Sequence, residues 1–286
     1  MSLKKIVILT DSSANIPANL QSQLNIVVIP LWLLWDGESL RDGVDIHPDA
    51  FYDRLSGSKT LPTSSQPSSQ EFKTLFQQVG KGADAIVAVL VSSRISGTIA
   101  SAKAAADELP ELDIRIVDTL TCAMGLGLIV LAAARAALEG RSVDEIVALT
   151  EQMRESVYTI FAVDTLEYLF KGGRITGGKH LLGTALNIKP ILHFHEGLIK
   201  PLTQARSKKK ALAQLLDIIE ERLGGNQMVE AAVMDVDAGE EADQVSELIR
   251  VRFNPRRLER AGVSPVVGTH VGPGTVGISF FPVVKI

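Results

Sequence analysis

Cys122 is the only cysteine in the 286 residues, which excludes an intramolecular disulfide and any metal site built from several thiolates. Neither charge dominates: 29 Lys and Arg stand against 33 Asp and Glu, a formal net charge of −4. The basic footprint of a nucleic-acid binder is therefore missing. Long hydrophobic runs are missing too. The segments 26–35, interrupted by Pro30, and 123–134 both fall short of the ~18 apolar residues needed to span a bilayer. At the start, Lys4 and Lys5 precede a short apolar run that Asp11 ends too early for a signal peptide. These absences lead us to expect a cytoplasmic protein without stable membrane insertion, whose first apolar run is a buried strand.

What remains is an ordinary globular composition, 46% hydrophobic and 22% charged, long enough for one large domain or two medium ones. The first half alternates strands and helices. Strands are expected at 5–9, 26–35, 85–91 and 114–117, helices at 71–79, 98–109 and after Cys122. The continuous apolar run 85–91 suits a strand covered on both faces, and the alternation argues for a parallel sheet. The second half mixes helices (142–154, 208–223, 240–252) with strand-like segments at 158–163, 228–236, 263–269 and 277–284. A hairpin within 186–202 turns at His195-Glu196-Gly197. The expected fold is therefore α/β in two domains: an N-terminal parallel-sheet α/β sandwich over 1–160 and a C-terminal α+β domain with a mixed or antiparallel sheet over 161–286.

Two polar loops of the first half, Thr63-Ser64-Ser65-Gln66-Pro67-Ser68 and Ser92-Ser93-Arg94-Ile95-Ser96-Gly97-Thr98, lie before helices or beyond a strand end. Ligands of open parallel sheets gather at strand carboxyl ends, and helix amino termini there favour anions. The same hydroxyls would serve equally as helix caps. In Lys171-Gly-Gly-Arg174-Ile-Thr-Gly-Gly-Lys179 the glycines allow a close backbone approach and Arg174 offers a planar fork for an oxyanion; a solvated linker is the plainer alternative. Gly272 to Gly277 matches GxGxxG formally, but too little chain follows for the helix and strand that a dinucleotide site requires. What is left there is a tight Gly-Pro-Gly turn beside His270.

Other candidates are weaker. His193 and His195 share one strand face without further ligands, so no metal site is expected. Lys208-Lys209-Lys210 opens an amphipathic helix as ordinary solvated charge. Asp11 reads either as a cap or as a catalytic acid.

Taken in order, Thr10-Asp-Ser-Ser13 with Ile16-Pro17, Ser64-Ser-Gln-Pro-Ser68, Ser92-Ser-Arg-Ile-Ser-Gly-Thr98, Val117-Asp-Thr119, Lys171-Gly-Gly-Arg-Ile175, Lys189-Pro-Ile191, Arg206 and Thr269-His-Val-Gly-Pro-Gly274 resemble the DegV family over nearly the full length. The resemblance implies a fatty-acid-binding protein, not an enzyme on its own. A long-chain fatty acid such as palmitate would lie in an apolar tunnel, its carboxylate on the hydroxyls of Ser64 and Ser96. Thr63 precedes Ser64 and could replace it in a shifted register; Ser93 and Gly97 of the second loop complete the lipid-binding set. Serine at position 64 departs from the family's usual threonine, keeping the hydroxyl and losing a methyl. Arg174 and His270 match positions linked to the head group and its phosphorylation, because some bacterial members serve as the lipid-binding subunit of a fatty-acid kinase. No cofactor is implied. Two rivals stand beside this reading. One is a serine hydrolase using Ser96, His270 and Asp11, although no Gly-x-Ser-x-Gly elbow is present. The other is a lipid-responsive regulator without chemistry.

Overall fold

Apolar strands that cannot expose either face need helices on both sides, and that requirement organises the chain. The computed structural model describes residues 5–175 and 188–282. Strands β1 (Ile6–Asp11), β2 (Val27–Ile29), β6 (Ala85–Leu90) and β7 (Ile114–Asp118) form a parallel sheet in the order β2-β1-β6-β7. Every residue of β6 is buried. Helices α3 (Ser69–Val79) and α4 (Thr98–Asp107) cover one face, through Phe72, Phe76, Ile99 and Ala102. Helix α1 (Ala18–Gln23) follows a 3-10 turn over Ser12–Ala14.

The second sheet has the order β10-β9-β8-β13-β11-β12, from β8 (Tyr158–Ala162), β9 (Lys189–His195), β10 (Leu198–Ala205), β11 (Met228–Val236), β12 (Arg257–Gly262) and β13 (Thr275–Pro282). All its neighbours are antiparallel except β11 and β12, so the expected mixed sheet is present. Helices α8 (Lys208–Leu223) and α9 (Gly239–Phe253) cover its outer face.

Between the sheets runs α5 (Ala123–Leu138), whose Ala, Gly and Leu side chains are almost all buried, with α6 (Val143–Ser156) beside it. Small residues are needed there. A Cβ at Gly125 would lie 2.2 Å from Thr159 Oγ1, and one at Gly127 would lie 2.7 Å from the Ala14 carbonyl oxygen. Among the described residues no helix is long and apolar enough to cross a membrane.

Three expectations need correction. The run 26–35 is not one strand: Pro30 has no N–H for a ladder, and the chain breaks there into β2 and β3 (Trp32–Trp35). β3 enters a separate sheet, β4-β3-β5, with β4 (Glu38–Arg41) and β5 (Thr63–Ser65), so the loop expected at Ser64 is a short strand. Its small core of Leu33, Trp35 and Phe51 also holds α2 (Pro48–Gly57). Finally, 263–269 is mostly helical, as α10 (Pro265–Val271). Its β-branched residues suggested a strand, but Ser264 at the N-cap and Pro265 at the first helical position are a helix start. The short α7 (Glu167–Lys171) precedes Arg174. Residues 176–179 of the glycine segment, 186–187 of the expected hairpin and 283–284 of the last strand lie outside the described residues.

Candidate functional site

The small sheet, with the residues that flank its strands and with α2, is tied to α10 and the residues just before it by four hydrogen bonds. Val266 N–H donates to Asp42 Oδ1 at 3.3 Å, Tyr52 O–H to the Val263 carbonyl at 2.9 Å, and Thr269 Oγ1 to the Pro62 carbonyl at 3.0 Å. The fourth joins Ser64 Oγ and His270 Nε2 at 2.7 Å. Behind this seam lies a cavity that is partly open to solvent. Its walls come from both sheets: Val91 and Ile95 from the first, Phe161, Phe194, Ile199 and Met234 from the second, Val266 and Val271 from α10.

Polar lining groups fall into two kinds. Ser13, Thr159 and Thr275 face the cavity with their hydroxyls already used. Ser13 Oγ donates to Asp11 Oδ1, Thr159 pairs with Thr121 and Ser279, and Thr275 Oγ1 donates to the Val271 and Gly272 carbonyls. The second kind is clustered: Ser64, Ser65, Gln66, Ser96, Arg174 and His270. The two serine loops abut, since a Cβ at Gly97 would lie 2.8 Å from Gln66 Nε2. Ser96 Oγ lies 2.8 Å from Thr98 Oγ1 and accepts the Thr98 N–H at 3.3 Å, so it partly caps α4 while lining the cavity. Arg174 donates to the Gly172 carbonyl at 2.5 Å, forms no ion pair with a described residue, and is half-buried. Burial pulls its pKa down. An isolated bridge between Ile175 and Ile199 sets this segment against β10. Burial, with the Arg174 charge adding to it, pushes His270 down to about 4, so the imidazole is neutral at pH 7.

Of the residues expected from sequence, the structure brings Ser64, Ser96, Arg174 and His270 together. The other three lie off the lining. Thr63 is exposed on β5, Ser93 is exposed with its N–H on Asp118 Oδ1 at 3.2 Å, and Gly97 precedes α4. Beside Ser93, the buried Ser92 does what the sequence reading missed. Its Oγ donates to the Gly197 carbonyl at 2.8 Å, and its own carbonyl accepts the N–H groups of Ile95 and Ser96. The hairpin turn of the second sheet thus seats the Ser96 loop of the first. The apolar walls were missed as well, because an apolar strand residue facing a cavity has the same pattern as one facing a core.

Asp11 is a cap and a staple. Its oxygens accept from Ser13 and from the Val91 N–H at 2.8 Å, and burial raises its pKa. It therefore does not orient His270. The single thiol, Cys122, faces the cavity but is pushed up to about 12 by burial, and stays an unreactive neutral group. Among the described residues no group of three or more His, Cys, Asp or Glu could hold a metal ion.

Two α/β domains closing on an apolar cavity, with two serine hydroxyls, a histidine and a cation in one cluster, suit a binding protein for an amphipathic molecule. The family model described as an uncharacterised protein of the DegV family matches residues 5–283. A DegV domain-containing protein of Caldanaerobacter subterraneus is 34% identical over 278 residues, 97% of this chain and 99% of that protein. Two solved structures are similar throughout. One, reported for fatty acid binding of a DegV family protein from Thermus thermophilus, has a TM-score of 0.92 at 30% identity and covers 98% of this chain and all of that one. The other, DegV from Bacillus subtilis, described as a fatty acid binding protein, has a TM-score of 0.89 at 32% identity and covers 97% and 99%. The chain belongs to the DegV family.

Proposed function

We propose that this protein binds a long-chain fatty acid with its tail in the cavity and its carboxylate at the Ser64–Ser96–Arg174–His270 cluster. The observation that carries this reading is the lining: walls that are apolar apart from hydroxyls bonded to their own surroundings, and one cluster in which Ser64, Ser96 and His270 stand beside the Arg174 cation. The tail supplies most of the affinity. About sixteen carbons at ~0.8 kcal/mol per buried methylene amount to roughly 12 kcal/mol before the costs of association. Hydrogen bonds to the carboxylate add about 1.5–3 kcal/mol each and decide which end is presented.

A cytoplasmic carrier that displays an ionised carboxylate suits transfer to a second protein, and we assign that role to a fatty-acid kinase that forms an acyl phosphate. The ATP site belongs to that partner. Here the only GxGxxG match, Gly272 to Gly277, runs from the end of α10 into β13 and lacks the helix that would cradle phosphates. The hydrolase alternative meets a different geometry. His270 pairs with Ser64, Ser96 pairs with Thr98, and Asp11 is committed to Ser13 and Val91.

The test is mass spectrometry of lipid extracted from protein purified from a bacterial host, followed by incubation with ATP and a fatty-acid kinase and trapping of the acyl phosphate with hydroxylamine. Stoichiometric C14–C18 fatty acid and hydroxamate formation support both parts. Protein that is empty and takes up neither palmitate nor oleate refutes the carrier reading, while bound lipid without hydroxamate refutes only the kinase role.

A further inference from the structure

Gly172 ends α7 at φ −75 and ψ −11, ordinary right-handed backbone that any L-residue adopts. Its neighbour Gly173 has φ +67 and open space around the missing side chain. Gly173 answers to conformation, Gly172 to space. A Cβ on Gly172 would lie 2.2 Å from His270 Nδ1 and 3.0 Å from its Cε1, so the Nδ1 side of the imidazole is packed against the glycine Cα. His270 Nδ1 is buried there without a hydrogen-bond partner among the described residues. The nearby amides are committed, Gly172 N–H to the Tyr168 carbonyl at 2.8 Å and Gly173 N–H to that of Phe170 at 3.1 Å. A proton on Nδ1 would be an orphaned buried donor, the rarer and costlier kind of unpaired group, whereas a lone pair there is tolerated. The glycine Cα–H that takes the place of Cβ meets that lone pair as a weak donor.

We propose that Gly172 is a positioning residue that fixes His270 as the Nε2–H tautomer, so that His270 donates to Ser64, the Ser64 proton is left for the cavity, and this end selects an ionised carboxylate over an uncharged lipid head. This deepens the fatty-acid reading and rests on it. The ring is neutral at pH 7, pushed down by burial and by Arg174, and a second proton would again fall on the unpartnered Nδ1. With Nε2–H donating to Ser64 at 2.7 Å, the Ser64 hydrogen is free for the ligand, and Arg174 beside it offers only donors. A carboxylate is acceptor-only and charged, and so gains most from them. The same tautomer leaves Nε2 without a lone pair, so His270 does not serve as a base for Ser64.

The tautomer is read directly on the full-length protein labelled with 15N-histidine, from long-range 1H–15N spectra at pH 7. We expect a protonated Nε2 and an unprotonated Nδ1 for His270; an Nδ1–H ring or an imidazolium overturns the proposal. Selectivity is read from competition between palmitate and 1-hexadecanol. Gly172→Ala lowers the preference for palmitate by about tenfold or more, the worth of a hydrogen bond to a charged group. In a His270→Ala background the same substitution causes no further loss, because the ring it displaces is gone. Equal losses in both backgrounds overturn the assignment. If the parent protein binds neither lipid, the fatty-acid reading falls, and the tautomer spectrum still decides the packing claim.

Discussion

Ser64 and Ser96 line one cavity, yet Ser64 is held by a partner 206 residues away and Ser96 by one two residues away. Around Ser64 every constraint is long-range. Its strand belongs to the small sheet, and that sheet is placed by its seam with α10, through Asp42, Tyr52 and the Pro62 carbonyl. The hydroxyl of Ser96 is held by bonds within its own loop, although that loop is seated on the second sheet through Ser92 and the Gly197 carbonyl. The Ser92 carbonyl turns the loop, and Thr98 receives the chain into α4. A hydroxyl bonded within its own loop is less sensitive to the seam with α10 than one whose partner lies on α10 itself. The site therefore has a fixed side and a side whose geometry depends on how two parts of the chain meet.

The largest expected effect is at the seam. Asp42 is 2% exposed, and burial pushes its carboxyl up from 3.8 to about 6 despite nearby Ser12 and Ser264 hydroxyls and the Val266 N–H. Its folded-state pKa is raised, so its contribution to stability is complete below pH 3.8 and lost as pH rises through about 6. At pH 7 the buried anion therefore forgoes up to about 3 kcal/mol relative to the protonated group. Asp42→Asn should raise stability at pH 7 by as much as this and match the parent near pH 4, in urea unfolding at both values. Lower stability at pH 7 would show that the charge itself holds the seam. Next comes Ser64→Ala, which strands the buried His270 ring without its partner. A loss of about 1–3 kcal/mol in stability should accompany palmitate binding weakened by about tenfold. Weaker binding with unchanged stability would mean that the 2.7 Å pair does not hold the seam.

The same contrast sets what could be seen in the sequence. The parallel sheet, the mixed sheet and most helices were legible because their signals are local: apolar runs, the helical spacing of 71–79, the acidic first turn at Asp144 and Glu145, the Glu196-Gly197 turn. Ser64, Ser96, Arg174 and His270 were picked out by short motifs and by family resemblance, and they do converge. That Ser64 would meet His270 was not legible, since nothing in either segment encodes a partner on the other side of the fold. Nor was Ser92 distinguishable from Ser93: adjacent serines in one loop differ only in which one the turn buries. The small sheet escaped for the same reason, because β5 is three residues of Thr and Ser with no apolar alternation to announce a strand.

Smaller effects belong to the locally held side. Ser96→Ala should weaken palmitate binding by about tenfold, as the loss of one hydrogen bond to a carboxylate. The stability cost should stay within about 1 kcal/mol, as for a lost cap. Seam-dependent readouts such as the His270 resonances should not move. The smallest effect is expected from Thr98→Val, which keeps the buried shape and removes the hydroxyl 2.8 Å from Ser96 Oγ. If Ser96 gives its proton to the ligand, it must accept from Thr98, just as Ser64 accepts from His270. Removing that donor leaves the serine proton in place and costs only orientation, so palmitate affinity should fall by no more than about threefold, well under 1 kcal/mol. Titration calorimetry with palmitate on both variants decides it. A Thr98→Val loss equal to that of Ser96→Ala would mean that the Ser96 hydroxyl has no fixed direction without Thr98. The local side of the site would then be no more self-sufficient than the side built across the seam.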